Sequence, residues 1–294
     1  MLYISQRRFL CVLLYGAAAC FGGTIAADPK ALYAVDIAPP LDAFDARCLN
    51  ISGYSTVFLR VYSPFTYEGP EKSVCESIEN ARKAGLGVEV CVVPFPPNMW
   101  DGWQQVDKLY NGLSECKIFV QRIWLVVGYP SSWYFDIEQN NRFIKQVFDK
   151  GREYNIDIGI YTKDTEWMQI TGGYANFTSS PLLWYWNINN TGPRGETTTS
   201  FVGFHPFGIW KAATVKQFGQ RVPVCGRYVN RDIYFATLQS TSSNASSIGE
   251  YICISRSDRE VEYGWPRKLR TPRKLRPSEV CGILEIITCY FILF

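Results

Sequence analysis

Histidine is almost missing from this chain: the 294 residues contain one, His205, set in Phe204-His205-Pro206. No Cys-X-X-Cys pair occurs either. Structural zinc sites draw on clusters of these two residue types, so that class of site is disfavoured and no metal is expected. His205 reads as a loop residue, not a catalytic base, because proline follows it directly. Net charge is also scarce, at +3, and its basic excess is gathered in one late segment. That is no electrostatic footprint for nucleic acid over the whole fold. Long apolar runs are lacking too. The N-terminal run from Phe9 to Phe21 is too short and too rich in Gly and Ala to make a good membrane span.

That N-terminal run has another reading. Arg7 and Arg8 precede it, and Gly22, Gly23, Thr24, Ala26 and Ala27 follow. A basic start, a short apolar centre and a small-residue exit describe a secretory signal peptide. Residues 1–27 are read as that signal, and the mature chain is expected to be secreted and extracellular. Sequons at Asn50, Asn176, Asn189 and Asn244 suit export, although each is a weak signal alone. Cys48, Cys75, Cys91, Cys116 and Cys225 remain in the body. An oxidising compartment would pair some of them. The odd number leaves one free or paired with the tail, and the connectivity stays open.

Strand and helix signals then alternate. Tyr33–Ile37, Thr56–Tyr62, Val88–Val93, Phe119–Val127 and Ile156–Tyr161 read as strands. Helical faces follow each: Leu41, Phe44 and Cys48; Val74, Cys75, Ile78 and Ala81 after Pro70; Trp103, Val106, Tyr110 and Leu113 after a capping Asp101. Phe143, Ile144, Val147 and Phe148 follow a capping Asp136, and a short helical piece spans Thr165 to Ile170 with Asp164 as its cap. Strands at Leu182–Trp186, Thr214–Phe218 and Ile233–Phe235 come last. Five βα units followed by a strand-rich end predict an α/β fold, an irregular (β/α) TIM-like barrel over residues 28–236. Ligands of such barrels meet the C-terminal ends of the strands.

Residues 237–294 depart from this pattern. They are read as a linker and a basic, apolar tail, disordered or atypical. Arg267-Lys268-Leu269-Arg270 recurs as Arg273-Lys274-Leu275-Arg276, before an apolar end from Val280 to Phe294. No stable membrane span is expected there, and at most weak surface contact.

Residues 33–235 resemble the family 25 glycoside hydrolases, the Chalaropsis-type lysozymes, in their nematode form. The carrying segments are Tyr33-Ala34-Val35-Asp36-Ile37, Asn80-Ala81-Arg82-Lys83-Ala84-Gly85, and Gly159-Ile160-Tyr161-Thr162 with Trp167. Pro181-Leu182-Leu183-Trp184-Tyr185 and Lys216-Gln217-Phe218 complete the series. The resemblance implies a barrel and bacterial peptidoglycan, or another glycan, as the partner, with no cofactor. It also implies an Asp-X-Glu pair at the end of the fourth strand, an Asp at the end of the first, and another near the last.

Glycoside hydrolysis needs one carboxyl to protonate the leaving oxygen and a second to stabilise or trap the oxocarbenium-like centre. Carried over, the first Asp is Asp36. The Asp-X-Glu pair falls on Val126 and Gly128, and the late Asp on Asn230, or on Asp232 if the alignment slips by two. Glu166 and Asp232 are the candidate substitutes. Asp136-Ile137-Glu138 spells the motif at a helix start and reads as a cap. The expectation is therefore a lysozyme-like scaffold of antibacterial defence with hydrolysis lost or strongly reduced. An active muramidase with a shifted acid is the alternative, and a glycan-binding protein unrelated to bacteria is a further one. Tyr161, Trp184 and Trp186 are the candidate ligand-binding rings, with Trp184 and Trp186 on one strand face and Tyr185 on the other.

Overall fold

The computed structural model describes residues 30–62, 72–97, 100–235 and 252–254. Alternating apolar strands and amphipathic helices give the order β1 (Ala31–Ile37), α1 (Ala43–Ile51), β2 (Tyr54–Tyr62), α2 (Lys72–Lys83), β3 (Gly87–Val92) and α3 (Gly102–Glu115). There follow β4 (Ile118–Val120), β5 (Arg122–Val126), α4 (Ile137–Glu153), β6 (Asp157–Thr162), α5 (Asp164–Thr171), β7 (Leu183–Trp186), β8 (Val215–Val224), β9 (Arg227–Phe235) and β10 (Ile252–Ile254).

Eight strands close into a barrel in the order β1-β2-β3-β5-β6-β7-β8-β9. Neighbours from β1 to β8 run parallel, and β9 closes the ring antiparallel to both β8 and β1. This is the mixed α/β barrel the alternation predicts. The βα units put their helices outside, where one buried face packs against the strands. The disulfide Cys48–Cys225 ties α1 to the β8–β9 turn, and Cys75–Cys116 ties α2 to the end of α3. Cys91, buried inside the barrel, is a free cysteine.

Several local expectations need correction. The stretch read as one strand from Phe119 to Val127 breaks at Gln121: β5 joins the barrel, while β4 pairs antiparallel with β10. Ile252–Ile254 supplies that partner strand, and the rest of the tail with its basic repeat lies outside the described residues, as does Pro70. Phe44 is 79% exposed, and α1 buries Ala46 and Leu49 instead. Trp103 is also exposed, at 41%, because Val106, Leu109 and Leu113 define the inner face of α3. The N-cap position of α5 is Lys163, which places Asp164 inside the first turn. There its carboxylate still complements the helix dipole. Asp136 does cap α4, accepting from the Glu138 N–H at 2.8 Å.

Strand alternation sends every second side chain into the barrel, where they stack in layers. The lowest layer is polar: Arg122 pairs with Glu89 at 3.3 Å, and the Thr56 hydroxyl meets the Tyr234 hydroxyl at 2.7 Å. The middle layer is aromatic, built on Phe58, Trp124 and Trp184, with ring centroids 4.4–6.0 Å apart. Its space is created by Gly159, where an added Cβ would lie 2.5 Å from the Trp124 ring. The upper layer, at the C-terminal ends of the parallel strands, carries the polar residues considered next.

Candidate functional site

Asp36 sits near the end of β1, 5% exposed. Antiparallel pairing sets Asn230 of β9 directly opposite. The Asn230 Nδ2 donates to Asp36 Oδ2 at 2.9 Å, and Gln217 Nε2 of β8 donates to the same oxygen at 3.1 Å. The other oxygen, Oδ1, lies 3.6 Å from the Arg60 guanidinium at the end of β2. The Asp36 charge raises the Arg60 pKa, which keeps the guanidinium charged. Tyr161 extends the network by donating its hydroxyl to Gln217 Oε1 at 3.0 Å.

These groups surround a small cavity at the mouth. Asp36, Arg60, Cys91, Val126, Tyr129 and Trp184 are among its lining residues, and its volume is about 20 Å³. That is room for about one water molecule. A sugar ring would therefore lie across the mouth, not inside the barrel. Cys91 forms part of the floor, and burial pushes its thiol pKa well up, which keeps it an inert thiol.

Asp232 lies one layer deeper, opposite Ala34 on β1 and Gln217 on β8. It is fully buried. Its Oδ1 accepts from Trp184 Nε1 at 2.8 Å, while its Oδ2 has no hydrogen-bond partner. Burial, and then the nearby Asp36 charge, raise its pKa well above the carboxylate range. Asp232 is thus a buried acid whose surroundings favour its protonated form, and Asn230 is the β9 residue that faces Asp36 at the mouth.

The end of β5 shows no carboxylate. Val126 is 5% exposed and packs with Tyr161 and Trp184. Gly128 is buried, its carbonyl accepting from Trp133 Nε1 at 2.9 Å. A Cβ at Gly128 would stand 3.3 Å from Glu166 Oε2. Glu166, in the first turn of α5, reaches over the strand end. Its Oε2 accepts from Trp186 Nε1 at 2.9 Å and its Oε1 from the Tyr129 N–H at 3.3 Å. Tyr129 adopts a left-handed backbone, φ 55°, which is uncommon for a residue with a side chain. Lys163 sets its ammonium 3.7 Å from the centre of the Trp186 ring.

The aromatic candidates separate by depth. Trp186 is partly exposed at the mouth, while Tyr161 is 7% and Trp184 1% exposed. Trp184 as an open platform for sugar is corrected: its ring is packed against Phe58, Trp124 and Tyr161. Tyr185 faces outward against Phe201 and Phe204. His205 is exposed in its loop. No group of three metal-binding side chains converges among the described residues.

The residues that sequence reasoning missed are Arg60, Gln217, Tyr129 and Lys163. Arg60 had a visible signal: a cation within Val57-Phe58-Leu59-Arg60-Val61, where solvent exposure of a buried barrel strand is confined to its end.

The C-terminal face of this (β/α) barrel, where ligands of such barrels bind, thus gathers an acid, amides, a cation and indoles. Comparison with known proteins gives the family. A family model described as Lysozyme-like protein 1 matches residues 27–218. Lysozyme-like protein 1 of Caenorhabditis elegans is 38% identical over 220 residues, covering 75% of this chain and 74% of that protein. A probable GH family 25 lysozyme 2 of Dictyostelium discoideum is 29% identical, covering 67% of this chain and 88% of its own length. The bacterial lysozyme of Streptomyces coelicolor shares the fold, with a TM-score of 0.55 at 15% identity over 72% of this chain and 95% of that one. The chain belongs to the lysozyme-like proteins of glycoside hydrolase family 25.

Proposed function

We propose that this is a secreted lysozyme-like protein of innate antibacterial defence that recognises peptidoglycan and has lost most or all hydrolysis of it. The observation that carries this reading is the end of β5. Val126 and Gly128 stand where the family resemblance places the acid pair, and Asp36, the retained acid, is held by Arg60, Asn230 and Gln217. Cleavage needs a proton donor and a second carboxylate on opposite sides of one bond. Asp36 cannot serve as both, and Asp232 is sealed beneath the mouth. The lysozyme-like relatives, the signal-like start and the exposed sequons at Asn50, Asn176 and Asn189 support a secreted glycan-directed protein.

A turbidity assay on Gram-positive cell walls tests the loss of activity. Clearing at a rate comparable to active family members would overturn it. A pull-down with insoluble peptidoglycan tests recognition, and no retention would leave the third reading, a glycan-binding protein unrelated to bacteria. One observation favours an active enzyme with a shifted acid: the nearness of Glu166 to Gly128. Clearing abolished by Glu166→Gln would establish that alternative.

A further inference from the structure

We propose that Glu166 is the sugar-contacting carboxylate of this mouth, reaching from α5 into the space that a side chain at position 128 would fill and accepting hydroxyls of an amino-sugar ring. This rests on the glycan-recognition reading above and assigns its contact point.

The geometry is reciprocal. Glu166 Oε2 lies 3.3 Å from where the first side-chain atom of residue 128 would stand, with Cδ and Oε1 at 3.6 Å. A side chain at 128 and the Glu166 carboxylate therefore compete for one volume. Glycine at 128 yields that volume to a group from another element. Nor is the carboxylate placed loosely. Trp186 Nε1 and the Tyr129 N–H each hold one oxygen, and the Tyr129 donor is aimed by a left-handed backbone. Uncommon backbone at a ligand-facing loop is a known correlate of function. Lys163 in turn pins the Trp186 ring from one face.

This arrangement suits acceptance more than proton donation. An ionised carboxylate offers about four lone-pair sites, and the two N–H groups engage one on each oxygen. The remaining sites accept sugar hydroxyls, and hydrogen bonds to a charged acceptor are the stronger kind. Glu166 is partly exposed, as a contact group must be, whereas Asp36 is buried under three partners.

The test is calorimetric titration of the full chain with the disaccharide N-acetylglucosaminyl-N-acetylmuramic acid and with tri-N-acetylchitotriose. Glu166→Gln keeps the shape and removes the charge. It should weaken binding by about tenfold or more, as loss of a charged hydrogen bond does. Glu138→Gln, on exposed α4 surface, should leave binding unchanged. Gly128→Ala should weaken binding in the parent but add little in the Glu166→Gln background, because both act on one carboxylate. Thermal unfolding of each variant separates lost contact from lost fold. Unchanged binding in folded Glu166→Gln and Glu166→Ala, with the parent still binding, overturns the proposal and leaves glycan recognition standing. No binding by the parent to either sugar or to insoluble peptidoglycan overturns both. Hydrolysis dependent on Glu166 overturns the non-catalytic role.

Discussion

Asn230 lies directly across the β1–β9 ladder from Asp36 and donates its amide to the acid at 2.9 Å. An amide here satisfies an oxygen that a second carboxylate would repel. Asn230→Asp would put two acids at that separation. The folded pair would hold a proton that the unfolded chain releases above about pH 4. Stability is therefore lost as pH rises above that point and is regained below it. The expected loss is roughly 2 kcal/mol at neutral pH. Urea unfolding at pH 7 and pH 4 checks this, and equal losses at both would contradict the electrostatic account.

Asp232 makes the same kind of prediction in the native sequence. Its folded pKa is raised by burial and by Asp36, so the native carboxyl stays protonated where the unfolded one ionises. The sign follows: native stability declines as pH rises above about 4, until the folded pKa is reached. The slope is about 1.4 kcal/mol per pH unit for one proton. Asp232→Asn keeps an acceptor for Trp184 and removes the titration. Its stability should pull ahead of the parent as pH rises, and parallel stability curves would count against a neutral Asp232.

The two indoles of β7 should behave oppositely. Trp184 fills the barrel centre and Trp186 stands at the mouth. Trp184→Ala should cost roughly 3–5 kcal/mol, the range for deleting a large buried aromatic. Trp186→Ala should cost about 1 kcal/mol and weaken retention on peptidoglycan, since it frees the Glu166 carboxylate. Chemical unfolding alongside the pull-down distinguishes the two roles.

The disulfides should contribute unequally. Cys48–Cys225 spans 177 residues and Cys75–Cys116 spans 41. In the chain-entropy picture these closures are worth about 5 and about 4 kcal/mol. Paired Cys→Ala variants, melted side by side, should show the larger drop for the Cys48–Cys225 closure.

The local sequence determined the strands, most inward helical faces and the barrel class, because apolar periodicity and turn residues act over a few neighbours. Asp36 at a strand end and the empty positions Val126 and Gly128 were legible for the same reason. Depth was not legible. Residues two apart on a strand share one face, so the sequence could not choose between Asn230 and Asp232, or between Trp184 and Trp186. Only the register of neighbouring strands decided which of each pair reaches the mouth: Asn230 opposite Asp36, Asp232 opposite Ala34. Helix placement decided the rest. Glu166 and Gly128 are far apart in the chain, and closure of β5 against β6 brings α5 over the strand end. Packing that joins distant segments is a tertiary property, so Glu166, already a candidate in the sequence, could be set beside Gly128 only in the folded barrel.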